Sequence, residues 1–133
     1  EIAECLVGSE MCIRDSLSAY FTYLEEMIEL PADMQIFPGH DWPFRNGGVR
    51  AQQLIDHHNH RLDLLSAAAQ TAPLTVWSAM DELFGRTFGD HEMYFASGEA
   101  RVHLNHLVSV GRLHKRCDDR GIDIYKAQDV VTA

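Results

Sequence analysis

His40 is the residue best placed for chemistry. It follows a short run, Met34-Gln35-Ile36-Phe37, that ends in Pro38-Gly39, and Asp41-Trp42-Pro43-Phe44 comes directly after it. The alternation of Met34 and Ile36 with Gln35 and Phe37 predicts a strand of a few residues. Pro38 cannot donate to a ladder and Gly39 frees the backbone, so the strand stops there. An imidazole held at the end of a strand, on a turn stiffened on both sides, is offered to a site rather than to a core. The plain alternative is a turn histidine that caps a local carbonyl. A second group, His57, His58 and His60, invites a metal reading, but its spacing argues against one. Helical ligands converge at i and i+3 or i+4, and only His57 and His60 meet that condition, with no zinc-protease carboxylate motif around them. The expectation is a packed His58 on an apolar stripe, with polar neighbours toward solvent. In an intermediate reading, His57 or Arg61 borders a cleft.

The elements that position these residues follow from periodicity. Leu17, Tyr20, Phe21, Leu24, Met27 and Ile28 form one helical face, off which Glu25, Glu26 and Glu29 fall, and Pro31 ends the helix near Leu30. Asn46-Gly47-Gly48 is a loop by composition. A long helix is expected from Val49, with Ala51, Ile55, His58, Leu62, Leu65 and Ala69 as its stripe and Pro73 bounding its end. Thr75 is the expected N-cap of a helix from Val76 to Phe84, closed by Gly85. A further helix, about Glu92 to Val110, carries Phe95, Ala96, Ala100, Leu104, Leu107 and Val108 inward, with Gly111 after its end. Leu113 to Cys117 and Ile122 to Tyr125 read as two strands joined through Asp118-Asp119-Arg120-Gly121.

Three stretches carry a resemblance. Phe37-Pro38-Gly39-His40-Asp41-Trp42-Pro43-Phe44 resembles the last metal-ligand turn of metallo-β-lactamase-fold hydrolases. The similarity continues through Leu54-Ile55-Asp56-His57-His58-Asn59-His60-Arg61-Leu62 and Phe95-Ala96-Ser97-Gly98-Glu99-Ala100, and spans most of Leu17 to Tyr125. It is to the subgroup with a C-terminal winged-helix-like domain. The resemblance implies an α/β fragment, the C-terminal helix-strand-helix of the αββα fold, over residues 17–72. A small α+β winged-helix-like domain would follow over 73–126. Beyond it, as a chain terminus, the tail over 127–133 is expected to be loose. It also implies a metal-activated water that attacks an ester, thioester or phosphodiester, with zinc or another divalent metal, one or two ions, in the intact enzyme.

Of the family's ligands, the resemblance places only the final histidine, His40. Asp41 would orient His40 or serve as an ordinary turn aspartate, and His57 and Arg61 are cleft candidates. No His-x-His-x-Asp-His motif occurs in the sequence. Because a catalytic site usually takes three protein ligands, the chain is expected to be inactive alone. Trp42-Pro43-Phe44 either lines the cleft or is simply buried.

Leu6 to Ser16 resembles the translation of a transposase adapter used in DNA sequencing. Cys5 to Ser16 is therefore set aside from fold reasoning, and residues 1–16 are expected to be an artefactual, unstructured leader. The alternative is a natural loop with a Met-Cys-Ile patch.

Composition narrows the remaining classes. The chain of 133 residues is 46% apolar with net charge −9, and has no run approaching the roughly 20 apolar residues of a membrane span. An acidic chain is a poor match for a large nucleic-acid footprint or an anionic membrane. Cys5, Cys12 and Cys117 form no framework, which with the absence of a visible signal peptide points to a reduced, cytoplasmic protein. From Arg112 to Lys126 five basic residues face three acidic ones, whereas the helix before them sets Glu92 and Glu99 against Arg101. DNA reading is accordingly disfavoured. Some relatives with a similar tail cleave RNA, so RNA stays open beside a small-molecule substrate. A structural or dimerising role for the tail is the third class.

Overall fold

A computed structural model describes residues 17–128; the expectations for residues 1–16 and 129–133 lie outside them. The elements are α1 (Leu17–Ile28), α2 (Gly47–Thr71), α3 (Val76–Phe84), α4 (Asp90–Ser109), β1 (Leu113–Cys117) and β2 (Asp123–Ala127). Two compact units divide the chain between His60 and Arg61, inside α2. Among the described residues no helix is long and apolar enough to cross a membrane.

In the first unit, the expected face of α1 is the buried one: Leu17, Tyr20 and Leu24 are inside, and the glutamates are exposed. Between α1 and α2 the expected strand is reduced to a single antiparallel bridge, Ile36 to Phe44, with backbone bonds of 2.8 and 3.1 Å. Pro38 and Pro43, beside that bridge, lack the donors a longer ladder needs. The link is therefore helix, bridge, helix rather than helix, strand, helix. Asn46, at φ 60, passes the chain into α2, which starts at Gly47, two residues before the expected Val49. Gly47 faces the Ile36 side chain, and Gly48 lies against the Ile28 backbone at the end of α1, where a Cβ has no room.

In the second unit, Leu62, Leu65 and Ala69 of α2 are buried, as the stripe requires. Thr75 caps α3 in a reciprocal box: its hydroxyl accepts from Ser78 N–H, and Ser78 Oγ accepts from Thr75 N–H. Gly85, at φ 57, closes the helix. Helix α3 packs on α4, and α4 on β1. The end of α4 is a Schellman turn. Gly111, at φ 74, donates to Val108 O, and Arg112 N–H donates to Leu107 O at 2.8 Å.

Strand β1 pairs antiparallel with β2 in the register Leu113–Ala127, His114–Lys126, Lys115–Tyr125, Arg116–Ile124 and Cys117–Asp123. The second strand thus runs two residues past the expected Tyr125. Leu74 adds one bridge to Tyr125, at 2.7 and 2.8 Å. Leu113, Tyr125 and Ala127 form the buried face of the hairpin. Tyr125, fully buried, donates its hydroxyl to Asn105 Oδ1 at 3.0 Å.

Candidate functional site

The first unit presents the histidine turn. The Ile36–Phe44 bridge pins its two ends, and His40 stands exposed near its apex. No hydrogen-bond partner of His40 occurs among the described residues, so it is not a carbonyl cap. Asp41 is also exposed and sits in the left-handed region at φ 68, a conformation an aspartate tolerates better than most residues. It shares no hydrogen bond with His40. Trp42 is 87% exposed and Phe44 partly covered, which goes against the alternative that Trp42-Pro43-Phe44 is simply buried; Phe37, before the turn, is 75% exposed.

Farther along the same unit, His58 is buried and lies edge-on to Tyr20, ring centroids 5.5 Å apart, and to Phe21 at 6.2 Å. His57 is exposed and meets the His58 ring edge-to-face at 5.5 Å; His60 is exposed. The histidine run therefore divides as its helical phase requires, with one ring in the packing and two outside.

The second unit holds a buried polar group that periodicity did not single out. Arg61 donates to Glu99 Oε1, and its guanidinium lies 5.0 Å from the centre of the Phe84 ring. Glu99 is almost completely buried, so the guanidinium supplies the charge its carboxylate needs. One turn on, His103 is fully buried, with Nδ1 2.8 Å from the Glu99 carbonyl oxygen. A carbonyl only accepts, so Nδ1 carries the proton of the neutral ring. Burial pushes the His103 pKa down from its ordinary value; the Glu99 carbonyl bond and the Glu99 charge oppose that shift, whereas Arg61 and His106 add to it. Burial lowers His106 as well, with Arg112 contributing. A signal for this cluster exists. Ala96, Glu99, Ala100, His103, Leu104 and Leu107 follow i, i+3, i+4, i+7 without a break, so Glu99 and His103 lie on the inward stripe of α4. Arg61, a cleft candidate by sequence, is tied to this internal carboxylate.

These helices, with a hairpin bridged to Leu74, make a small α/β protein. A family model described as "Metallo-beta-lactamase-like, C-terminal domain" matches residues 62–128, half of the chain. The chain belongs to that family. A beta-lactamase domain protein from Burkholderia ambifaria is 32% identical, with TM-score 0.80, over 84% of this chain and 33% of its own. A metallo-beta-lactamase family protein from Thermus thermophilus is 27% identical, with TM-score 0.67, over the same shares. The chain thus spans about a third of the length of the solved structures it matches. No curated protein matches it.

Proposed function

We propose that this chain is the C-terminal part of a metal-dependent hydrolase and that His40 is one of its metal ligands. The observation that carries this reading is the exposed imidazole, without a partner among the described residues, on a turn pinned by Ile36 and Phe44, in a chain whose family is metallo-beta-lactamase-like. Neutral imidazole suits zinc and other divalent metals, so the donor fits the group. One or two such ions would supply a water of lowered pKa for attack on an ester, thioester or phosphodiester. The further ligands would come from a segment preceding Leu17 in the intact protein, since one imidazole does not hold a catalytic ion. The exposed Phe37 and Trp42 beside His40 support this, because apolar walls are what a covered ligand cleft uses.

On the same reading the fragment is inactive alone, and residues 73–126 form a winged-helix-like domain. Helices α3 and α4, the β1–β2 hairpin and the Leu74 bridge to Tyr125 support that description. A cytoplasmic, reducing setting is part of the proposal, supported by Cys117, which is exposed and unpaired among the described residues. The test is metal analysis and turnover of the intact protein with His40→Ala. Loss of metal at one position together with a fall in turnover is expected. Full metal content with unchanged turnover refutes the assignment.

A further inference from the structure

Three times in the second unit a cation is held by an aromatic ring and a carboxylate together. Arg61 lies 5.0 Å from the centre of the Phe84 ring and donates to Glu99. Arg86 lies 4.6 Å from the centre of the Phe88 ring and donates to Glu92 at 3.3 Å. Lys115 lies 5.8 Å from the centre of the Tyr125 ring and donates to Asp123 at 3.1 Å. The ring attracts the positive charge through its quadrupole, and the carboxylate through its full charge.

Helix α3 carries the same ring and carboxylate a fourth time, without the cation. Trp77 and Asp81 are four residues apart, so they are neighbours on one face of the helix. Trp77 is 64% exposed, and Asp81 is exposed. Neither has a cationic partner among the described residues. Both line a pocket of about 440 Å³, whose apolar wall is made by Met80, Phe88 and Met93. That volume is in the range of small-ligand sites. The pocket also takes in Gly85, so it lies at the C-terminal end of α3. There the helix dipole is negative, and no basic residue occupies the last turn. Arg86, at the same pocket, is already committed to Glu92 and to the Phe88 face. An anion would meet Asp81 and the negative end of the helix, so the charge the pocket lacks is positive.

We propose that this pocket binds a small organic cation, an ammonium ion on a short apolar stem. The charge sits by the Trp77 ring and the Asp81 carboxylate, and the stem lies against Met80 and Met93. Indole is the best of the aromatic faces for a cation, and thioethers adapt to stems of varied shape. A recess of this size encloses a free ion, whereas a protein partner would need a much wider contact.

The test is NMR of this chain labelled at its methionine methyl carbons. The titrants are choline, n-butylammonium and 3,3-dimethylbutan-1-ol, which has the shape of choline without its charge. Of the five methionines, Met80 and Met93 should shift and saturate with the cations. The alcohol should bind at least about fivefold more weakly. Asp81→Asn and Trp77→Leu should each weaken cation binding by about fivefold, and Trp77→Phe, which keeps a ring, by less. Glu82→Gln removes the same charge from a side chain that does not line the pocket, and should change affinity less than about twofold. That control separates the site from general attraction to an acidic chain. If Trp77→Leu lowers the unfolding midpoint, Asp81→Asn, at an exposed position, carries the test alone. Tighter binding of choline assigns a quaternary ion, and tighter binding of n-butylammonium a primary amine. No shift at Met80 and Met93, equal binding of the neutral alcohol, unchanged affinity in Asp81→Asn, or a response to a lysine-rich peptide but to neither free cation would each overturn the proposal.

Discussion

Gly48 lies against Ile28 so closely that a Cβ added to it would stand 2.8 Å from the Ile28 carbonyl oxygen. The obstacle is backbone, which cannot rotate away as a side chain can. An alanine in the first turn of a helix would ordinarily gain up to about 1 kcal/mol over glycine. Here the clash outweighs the gain, and Gly48→Ala should destabilise the chain by about 1–3 kcal/mol, the range of an overpacked contact. Urea unfolding measures it. An unchanged or raised midpoint would show that α1 and α2 do not approach this closely.

Arg61 and Glu99 make a second test, because a largely buried ion pair behaves asymmetrically. Glu99→Gln leaves the guanidinium without its counter-charge and should cost about 2–3 kcal/mol, at or just below the usual range because Arg61 keeps 16% exposure. Arg61→Met with Glu99→Leu removes both charges and should recover most of the loss. A double-mutant cycle in chemical denaturation reports the coupling directly. Additive losses would mean that the pair is not coupled in solution.

These two contacts also show what the sequence can and cannot carry. The apolar stripes of α1, α2 and α4, the Thr75 and Gly85 caps and the Gly111 turn depend on local spacing, and each is visible there. Among the described residues the strand expected at Met34 to Phe37 makes a single bridge, Ile36 to Phe44, because pairing is non-local and alternation alone does not supply a partner. Glu99 and His103 do not stand out in the sequence because a stripe is read by hydrophobicity, whereas their burial comes from position on the helix and, for Glu99, from a partner 38 residues away. His40 is legible as a turn histidine, but its lack of a partner among the described residues is a fact of three-dimensional structure.

His103 should make stability depend on pH. Burial is the main cause of its lowered pKa, so the unfolded chain takes up its proton at a higher pH than the folded one. Above the ordinary value of 6.5 both states are neutral and the stability is fully present. As pH falls below it, the unfolded state binds the proton first and stability is lost down to the folded-state pKa. His106 acts in the same sense. Thermal midpoints should therefore fall from about pH 7.5 to about pH 5.5, by less in His103→Gln. Equal slopes in both proteins would remove His103 as the cause.

The ends of α3 can be tested separately. Thr75→Ala removes the acceptor for Ser78 N–H and should cost about 1 kcal/mol. Gly85→Ala forces an L side chain to φ 57 and should cost about 1 kcal/mol or slightly more. The two sites bracket one helix but share no contact, so their effects on the urea midpoint should add. A null result at either end would mean that the terminal turn is frayed.

His40 offers a prediction in which nothing should happen. It is exposed and holds no partner among the described residues, so His40→Ala should change the stability of this chain by less than about 0.5 kcal/mol. Asp41→Val next to it is the contrast. A β-branched side chain at φ 68 is strained, and the turn should lose about 1–2 kcal/mol. A neutral His40→Ala beside a costly Asp41→Val would show that the backbone is shaped by the turn while the imidazole serves something outside it. If His40→Ala were as costly as Asp41→Val, the ring would be part of the fold, and the case for His40 as a ligand would lose its main support.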